Sequence, residues 1–305
     1  MKTPRRAVDG VLLLDKPEGL SSNSAVGWAK RLFNAEKAGH TGTLDPFATG
    51  LLPICLGEAT KFSRFILDAE KGYCAILQLG EVSSTGDTEG EIIQRRPVDV
   101  SAGKIAEVLA AFQGAQTQVP PMHSALKRNG VPLYKLARQG VSVEREARPI
   151  VVNDITFLSL TGNELVIDTN VSKGTYIRVL AQDIGEALGC GAHLIGLRRT
   201  STGGFSIANA INFDALEKLT VEQRDALLRP ADSLAAALPE VRLTELEAVA
   251  LRNGQVPQIA QRLLPDTEYR VYGVAHEFIG VAQAQTNNES GTCLTVTRLM
   301  ATGES

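Results

Sequence analysis

Apolar residues recur along this chain at two spacings, and the change from one to the other marks its elements. Gly10-Val-Leu-Leu-Leu-Asp15 is a short apolar run closed by Lys16-Pro-Glu-Gly19, which predicts a buried strand running into a turn. Ser21 or Ser22 then caps a helix whose apolar positions Val26, Ala29, Leu32 and Phe33 recur at helical spacing. A Gly- and Thr-rich loop runs from Gly39 to Gly50, followed by the apolar run Leu51 to Leu56 and a short helix near Glu58 to Ile66. Tyr73 to Leu79 has the composition of a strand, and Gly80 to Gly90 that of a loop or hairpin tip. Ser101 caps a second helix with Ile105, Val108, Leu109 and Phe112 on one face, and Pro120-Pro121 separates it from a basic stretch.

Ile150 to Leu160 and Glu164 to Val171 predict two strands joined by Thr161-Gly-Asn163. Thr175 to Leu188 carries Ile177, Leu180, Ala181, Ile184 and Leu188, a helix closed by Gly189, and Leu194 to Thr200 returns to strand. Strands and helices mix without a regular βαβ rhythm, so the expected class is α+β with a mixed, largely antiparallel sheet. Composition shifts near Leu238-Pro239. Beyond it one helix (Thr244 to Asn253) precedes strands around Tyr269 to Val274, Glu277 to Ala284 and Cys293 to Leu299. The predicted division is therefore a domain over 1–238 and a small β-rich one over 239–305.

The 305 residues, 44% apolar and 21% charged, are globular in composition. No stretch approaches the roughly 18 consecutive apolar residues of a membrane span. The basic start Met-Lys-Thr-Pro-Arg-Arg leads into no signal-peptide core, since Val11-Leu-Leu-Leu14 is cut short by Asp15 and Lys16. The expectation is a soluble, cytoplasmic protein. Cys55, Cys74, Cys190 and Cys293 are scattered and read as small buried hydrophobes. Cys190 and His193 lack the second pair that a zinc site needs, so no metal is expected. Net charge is −3, yet 119–148 holds Lys127, Arg128, Lys135, Arg138, Arg145 and Arg148 against only Glu144 and Glu146. That segregation fits a solvated face or a nucleic-acid contact.

The loop from Gly39 to Gly50 reads Gly-His-Thr-Gly-Thr-Leu-Asp-Pro-Phe-Ala-Thr-Gly. Its glycines suggest a phosphate cradle, but no Lys-Ser or Lys-Thr follows a suitable glycine, so it is not a Walker A loop. What remains is Asp45 at the apex of the turn, followed by Pro46. Read alone, Asp-Pro opens turns through the aspartate's own backbone contacts. The competing reading is a site carboxylate, with His40, Lys16, Tyr73 and Lys173-Gly-Thr-Tyr-Ile-Arg178 as potential company.

Several of these segments form an ordered set. Gly10-Val-Leu-Leu-Leu-Asp-Lys-Pro17, Gly39-His-Thr-Gly-Thr-Leu-Asp-Pro46, Lys173-Gly-Thr-Tyr-Ile-Arg178 and Leu197-Arg-Arg-Thr200 resemble the TruB family, the bacterial tRNA pseudouridine-55 synthases. The resemblance runs from about Asp9 to Gly204, with Pro120-Pro121 and Ser124-Ala-Leu-Lys127 between. Leu251-Arg-Asn-Gly-Gln255 is similar to the start of the family's PUA-like C-terminal domain.

The resemblance implies isomerisation of uridine in the T loop of tRNA to pseudouridine, with no cofactor, metal or energy source and no obligate protein partner. It places Asp45 as the catalytic carboxylate, acting on the sugar, acting on the base or removing a sugar proton. Arg178 corresponds to the arginine that pairs with it, and Tyr73 to the tyrosine that stacks on the target base and assists late removal of its C5 proton. His40 matches the histidine that fills the space left by the flipped nucleotide. Tyr176 and Leu197 match pocket residues against the uridine, and Lys16 either supports the site or contacts phosphate. The stretch 119–148 resembles a mobile insertion that clamps the T-arm, with Lys127, Arg128, Lys135, Arg138 and Arg148 contacting the RNA backbone. His123 and Cys74 depart from residues common in the family, Tyr and a larger polar residue respectively. A non-catalytic RNA-binding protein on the same scaffold is the main alternative, and RNA chaperoning is compatible with catalysis. A glycoside hydrolase would need Asp45 and a second acid such as Asp87 or Asp183 across one bond.

Overall fold

The computed structural model describes residues 4–124, 126–128, 130–286 and 292–301. The main sheet contains β1 (Gly10–Lys16), β2 (Ala38–His40), β3 (Thr49–Leu56), β4 (Lys71–Leu79), β5 (Gly114–Gln118), β6 (Arg148–Thr161), β7 (Glu164–Val171), β8 (Ala192–Thr202), β9 (Phe205–Ser206) and β10 (Ile211–Asn212). Their order is β10-β1-β3-β8-β4-β7-β6-β5, with β2 added to β3 and β9 to β8. Only β1–β10 and β3–β8 pair in parallel, so the sheet is mixed and largely antiparallel, as expected. Strand β5 is an addition: Gly-Ala-Gln-Thr-Gln has no apolar alternation, and its place comes from the ladder it makes with β6.

The helices that matter to the site are α1 (Ser22–Leu32), α2 (Ala102–Ala111), α3 (Leu133–Arg138) and α4 (Ile177–Ala187), with α5 (Glu245–Arg252) beyond them. The Ser21 and Ser101 hydroxyls accept from the Ser24 and Lys104 amides, satisfying free donors at the starts of α1 and α2. Helix α4 begins later than its periodicity suggests because Tyr176 is extended and serves as N-cap.

Two cores sandwich the middle of the sheet. Leu12 and Leu14 of β1, Leu52 and Ile54 of β3, and Ala75 and Leu77 of β4 face the core beneath α1, α2 and α4. Val11, Leu13, Leu51 and Cys55 face a second core with Phe62, Ile66 and Leu234. Burial on both sides explains why β1 and β3 read as unbroken apolar runs. Farther along, β4 and β7 have one open face, so they alternate and Cys74 is only half-buried there. The other three cysteines are buried, and burial pushes the Cys55 thiol up to about 12.

The C-terminal β-rich part is a five-stranded sheet of β11 (Glu240–Arg242), β12 (Gln258–Ile259), β13 (Glu268–Tyr272), β14 (Phe278–Thr286) and β15 (Thr292–Leu299), in the order β11-β13-β14-β15-β12. Val241, Leu251, Val271 and Leu294 form its core. Val281 of β14 packs instead with Leu13, Phe62 and Leu234, joining the two sheets through shared apolar burial. No helix among the described residues is long and apolar enough to cross a membrane.

At the mouth of the Gly39–Gly50 loop, β3 meets β8 through only two residue pairs, Arg198 with Thr49 and Arg199 with Gly50. Gly50 has φ +99°, and a Cβ there would lie 2.4 Å from the Arg199 carbonyl oxygen. Gly50→Ala therefore meets both backbone strain and a backbone clash, and is expected to lose about 3 kcal/mol or more of stability. Urea denaturation of the variant against wild type measures this.

Candidate active site

The loop between β2 and β3 is fixed from three sides. From α1, the Ser22 hydroxyl donates to the Leu44 carbonyl at 3.0 Å and accepts from the Leu44 amide at 2.8 Å. Leu44, Phe47 and Ala48 are buried, which leaves Asp45 raised between them with about a third of its side chain exposed. The Ala48 amide donates to the Asp45 carbonyl, closing the turn that Asp-Pro opens. Both readings of Asp45 are thus compatible: its backbone makes the turn while its carboxylate points away from it, to a partner elsewhere.

That partner is Arg178, on the first turn of α4. Its Nε lies 3.1 Å from Asp45 Oδ2 and its Nη1 lies 3.2 Å from Asp87 Oδ2. Nη2 donates to the His123 carbonyl at 2.7 Å. The guanidinium is buried, and Asp87 behind it is only 1% exposed. The Thr85 hydroxyl and the Glu89 amide donate to Asp87 Oδ1, so the hidden carboxylate is held from its other side. Burial pushes the Asp45 carboxyl above the usual carboxylate range; Arg178 draws it back, Asp87 repels it and Lys16 attracts it.

Lys16 ends β1 without solvent exposure. Its Nζ donates to the carbonyls of Pro17 and Leu20 at 2.8 Å and of Pro46 at 3.3 Å. Burial lowers its ammonium to about 8, with Asp45 opposing that shift. The Lys-Pro turn is thereby bound to the backbone immediately after Asp45.

His40 ends β2, half-buried, with Nδ1 accepting from the Gly42 amide at 3.2 Å. Burial and the Arg199 charge lower its basicity, which favours the neutral ring that this hydrogen bond requires. Tyr73 is buried in β4, beside Arg199 of β8 and Thr169 of β7. Leu197 of β8 is half-buried and pairs with Ala75. Tyr176 is clamped through its backbone: its amide donates to Gln118 Oε1 at 2.8 Å and its carbonyl accepts from Gln118 Nε2 at 3.1 Å. Burial raises the half-buried Tyr176 hydroxyl.

Most basic residues of 119–148 lie away from this cluster, but Arg148 acts electrostatically on the Tyr176 hydroxyl and Arg145 lines a cavity with Thr85 and His123. Lys127 and Arg128 are exposed on a two-stranded hairpin, Lys135 is exposed on α3, and Arg148 is exposed at the start of β6. Arg138 lies in α3, with its side chain outside the described residues. The root of the segment nonetheless reaches the site, because the His123 backbone carbonyl is an Arg178 acceptor.

The family model of TruB family pseudouridylate synthases, N-terminal domain, matches residues 30–177, and two C-terminal models of the same family match 178–236 and 239–293. The tRNA pseudouridine synthase B of Neisseria meningitidis serogroup B is 51% identical over 93% of this chain and 92% of its own. The chain belongs to the TruB family. A second relative, the tRNA pseudouridine synthase B of Chromobacterium violaceum, is 50% identical over 93% of each chain. A solved structure titled as a Cbf5-Nop10-Gar1 complex contains a chain 28% identical to this TruB-family protein, with a TM-score of 0.75 over 95% of this chain and 84% of that one.

Asp87, Gln118 and Arg199 join this cluster although no motif in the sequence points to the places they take. Asp87 was weighed only as a second acid for a hydrolase, and the structure instead sets it behind Arg178. Its polar, Gly-rich surroundings give no sign of burial. Gln118 sits in the strand that apolar periodicity could not find. Arg199 was visible only as part of Leu-Arg-Arg-Thr.

Arg178 neutralises Asp87 where both side chains are buried. Arg178→Gln leaves that carboxylate buried and unpaired, with an expected loss of about 3–5 kcal/mol. Adding Asp87→Asn removes the orphaned charge, so the double variant is expected to regain most of that stability in thermal or urea denaturation. Equal losses in the single and double variants would contradict the pairing.

Proposed function

We propose that this chain converts uridine 55 in the T loop of tRNA to pseudouridine, with Asp45 as the carboxylate on which bond cleavage depends. The observation that carries this is the contact of Asp45 with a buried arginine, which favours an ionised carboxylate in a setting that otherwise disfavours one. The reaction breaks the N1–C1′ bond, turns the uracil and joins C5 to C1′; C5 loses a proton and N1 ends with one. Nothing is oxidised or reduced, so the balance calls for no co-reactant.

The remaining residues take roles consistent with their places. Tyr73, Tyr176 and Leu197 form the walls against the flipped base, and Tyr73 assists the final loss of the C5 proton. His40 takes the stacking position that the uridine leaves. Lys16, buried and bound to three carbonyls, supports the Asp45 loop rather than meeting phosphate. The exposed Lys127, Arg128, Lys135 and Arg148, with Arg138, hold the T-arm phosphates, and the β-rich part over 239–305 meets the acceptor side of the same arm.

Incubating the protein with unmodified tRNA and assaying pseudouridine tests the central claim. Wild type yields product and Asp45→Asn none, with tRNA binding retained. Product from both would remove Asp45 from the chemistry, and none from either would favour a binding protein. Because the Asp45 carboxyl is raised, the reactive anion is lost as pH falls at a higher pH than for an ordinary aspartate. The acid limb of single-turnover kcat/KM should therefore lie above the usual carboxylate range, and Arg178→Gln should move it further up. A limb at or below the ordinary range would contradict this. Affinity for tRNA is expected to fall a few hundredfold, roughly, between about 50 and about 200 mM salt if some five phosphates are neutralised. A flat salt response would remove the clamp role of residues 119–148.

A further inference from the structure

Arg199 is among the largest fully buried side chains, only 1% exposed, and no ion pair is found for it among the described residues. A buried charge without a counter-charge is costly, so its backbone contacts are informative. Nε donates to the Leu51 carbonyl at 2.7 Å and Nη2 donates to the Gly42 carbonyl at 3.1 Å. Gly42 and Leu51 bracket the segment whose centre is Asp45. The Gly42 amide in turn donates to His40 Nδ1 at 3.2 Å. One residue, Gly42, thus connects the guanidinium through its carbonyl and the imidazole through its amide.

We propose that Arg199 is a positioning residue for the isomerisation, its planar fork fixing both ends of the Asp45 loop and, through Gly42, the orientation of His40. The inference rests on the reading of Asp45 as the working carboxylate. A guanidinium suits the task because its donors diverge in a fixed plane and reach two carbonyls at once, whereas an ammonium is a point donor on a flexible stem. Lys16 shows the contrast from the opposite side of the loop, where three carbonyls converge on a single nitrogen. Gly42 has φ +151°, and a Cβ on it would come within 3.5 Å of both Arg199 Nη1 and Lys71 Cε. The loop therefore passes close over the two basic side chains. A displacement of about 1 Å in a reacting group can cost on the order of a hundredfold in rate, so losing one arm of the fork should show in the chemical step.

The test uses the full chain and an unmodified tRNA transcript, comparing wild type, Arg199→Lys, Arg199→Ala and Asp45→Asn. Arg199→Lys keeps the charge and one donor contact. It is expected to slow single-turnover pseudouridine formation roughly 10- to 100-fold, with tRNA Kd within about threefold of wild type and a cooperative melt retained. In Arg199→Ala, guanidinium at ~10 mM should raise the rate several-fold where sodium at equal ionic strength does not, a recovery that general destabilisation would not produce. Should Arg199→Ala fail to fold, Arg199→Lys decides alone. A wild-type rate for Arg199→Lys, or a rate loss that only follows lost folding or lost tRNA binding, overturns the proposal. If Asp45→Asn forms product, the reading of the site fails; if it is inert while Arg199→Lys is fully active, only the positioning role fails.

Discussion

Arg178 lies between two carboxylates of unequal exposure, one fully hidden and one at the edge of the cleft. The hidden Asp87 gives the guanidinium a fixed place, and the His123 carbonyl holds a third nitrogen. Arg178 is then presented to Asp45 already oriented. The same arrangement opposes two tendencies in Asp45. Burial and the charge of Asp87 favour its protonated form, while Arg178 and Lys16 favour the anion. A carboxylate in this balance responds to a change in either neighbour's charge in a way that a fully solvated one does not.

The loop around Asp45 depends on cations as well, though differently. Lys16 and Arg199 are buried and use backbone carbonyls as acceptors, so each holds a bend of the chain. Elsewhere in the sheet such carbonyls would be bonded by neighbouring strands, but the loop leaves the ladder at His40 and rejoins it at Thr49. Buried acceptors left by that departure need donors. Serine, lysine and arginine side chains supply them from α1, β1 and β8. Side-chain donors thus take the place of a missing strand along this loop.

Much of the fold was legible. The buried strand β1, the apolar run of β3, the hairpin of β6 and β7 and the capped α1 and α2 all follow from spacing, turn and cap chemistry, because these depend on residues near in sequence. Strand β5 was not, since its polar residues acquire a strand conformation only from pairing with β6. Cys74 was expected to be buried and is half-exposed, because the open face of β4 depends on which helices fail to cover it. Asp45 and Arg178 were paired by resemblance to an ordered set of motifs, and the structure brings the two into contact. From residues alone, Asp45 read more readily as a turn former, and the structure shows that its backbone does make that turn.

By itself, the sequence determined the order of the apolar elements, the α+β class and, through motif resemblance, the TruB family with its expected aspartate and arginine. Only the tertiary structure decided that Asp87 stands behind Arg178, that Lys16 faces carbonyls instead of solvent, and that Arg199 joins Gly42 to Leu51. Local spacing records hydrogen bonds and apolar faces within a few residues. The burial and company of a charge depend on strands brought together from distant parts of the chain, and no local pattern carries that information.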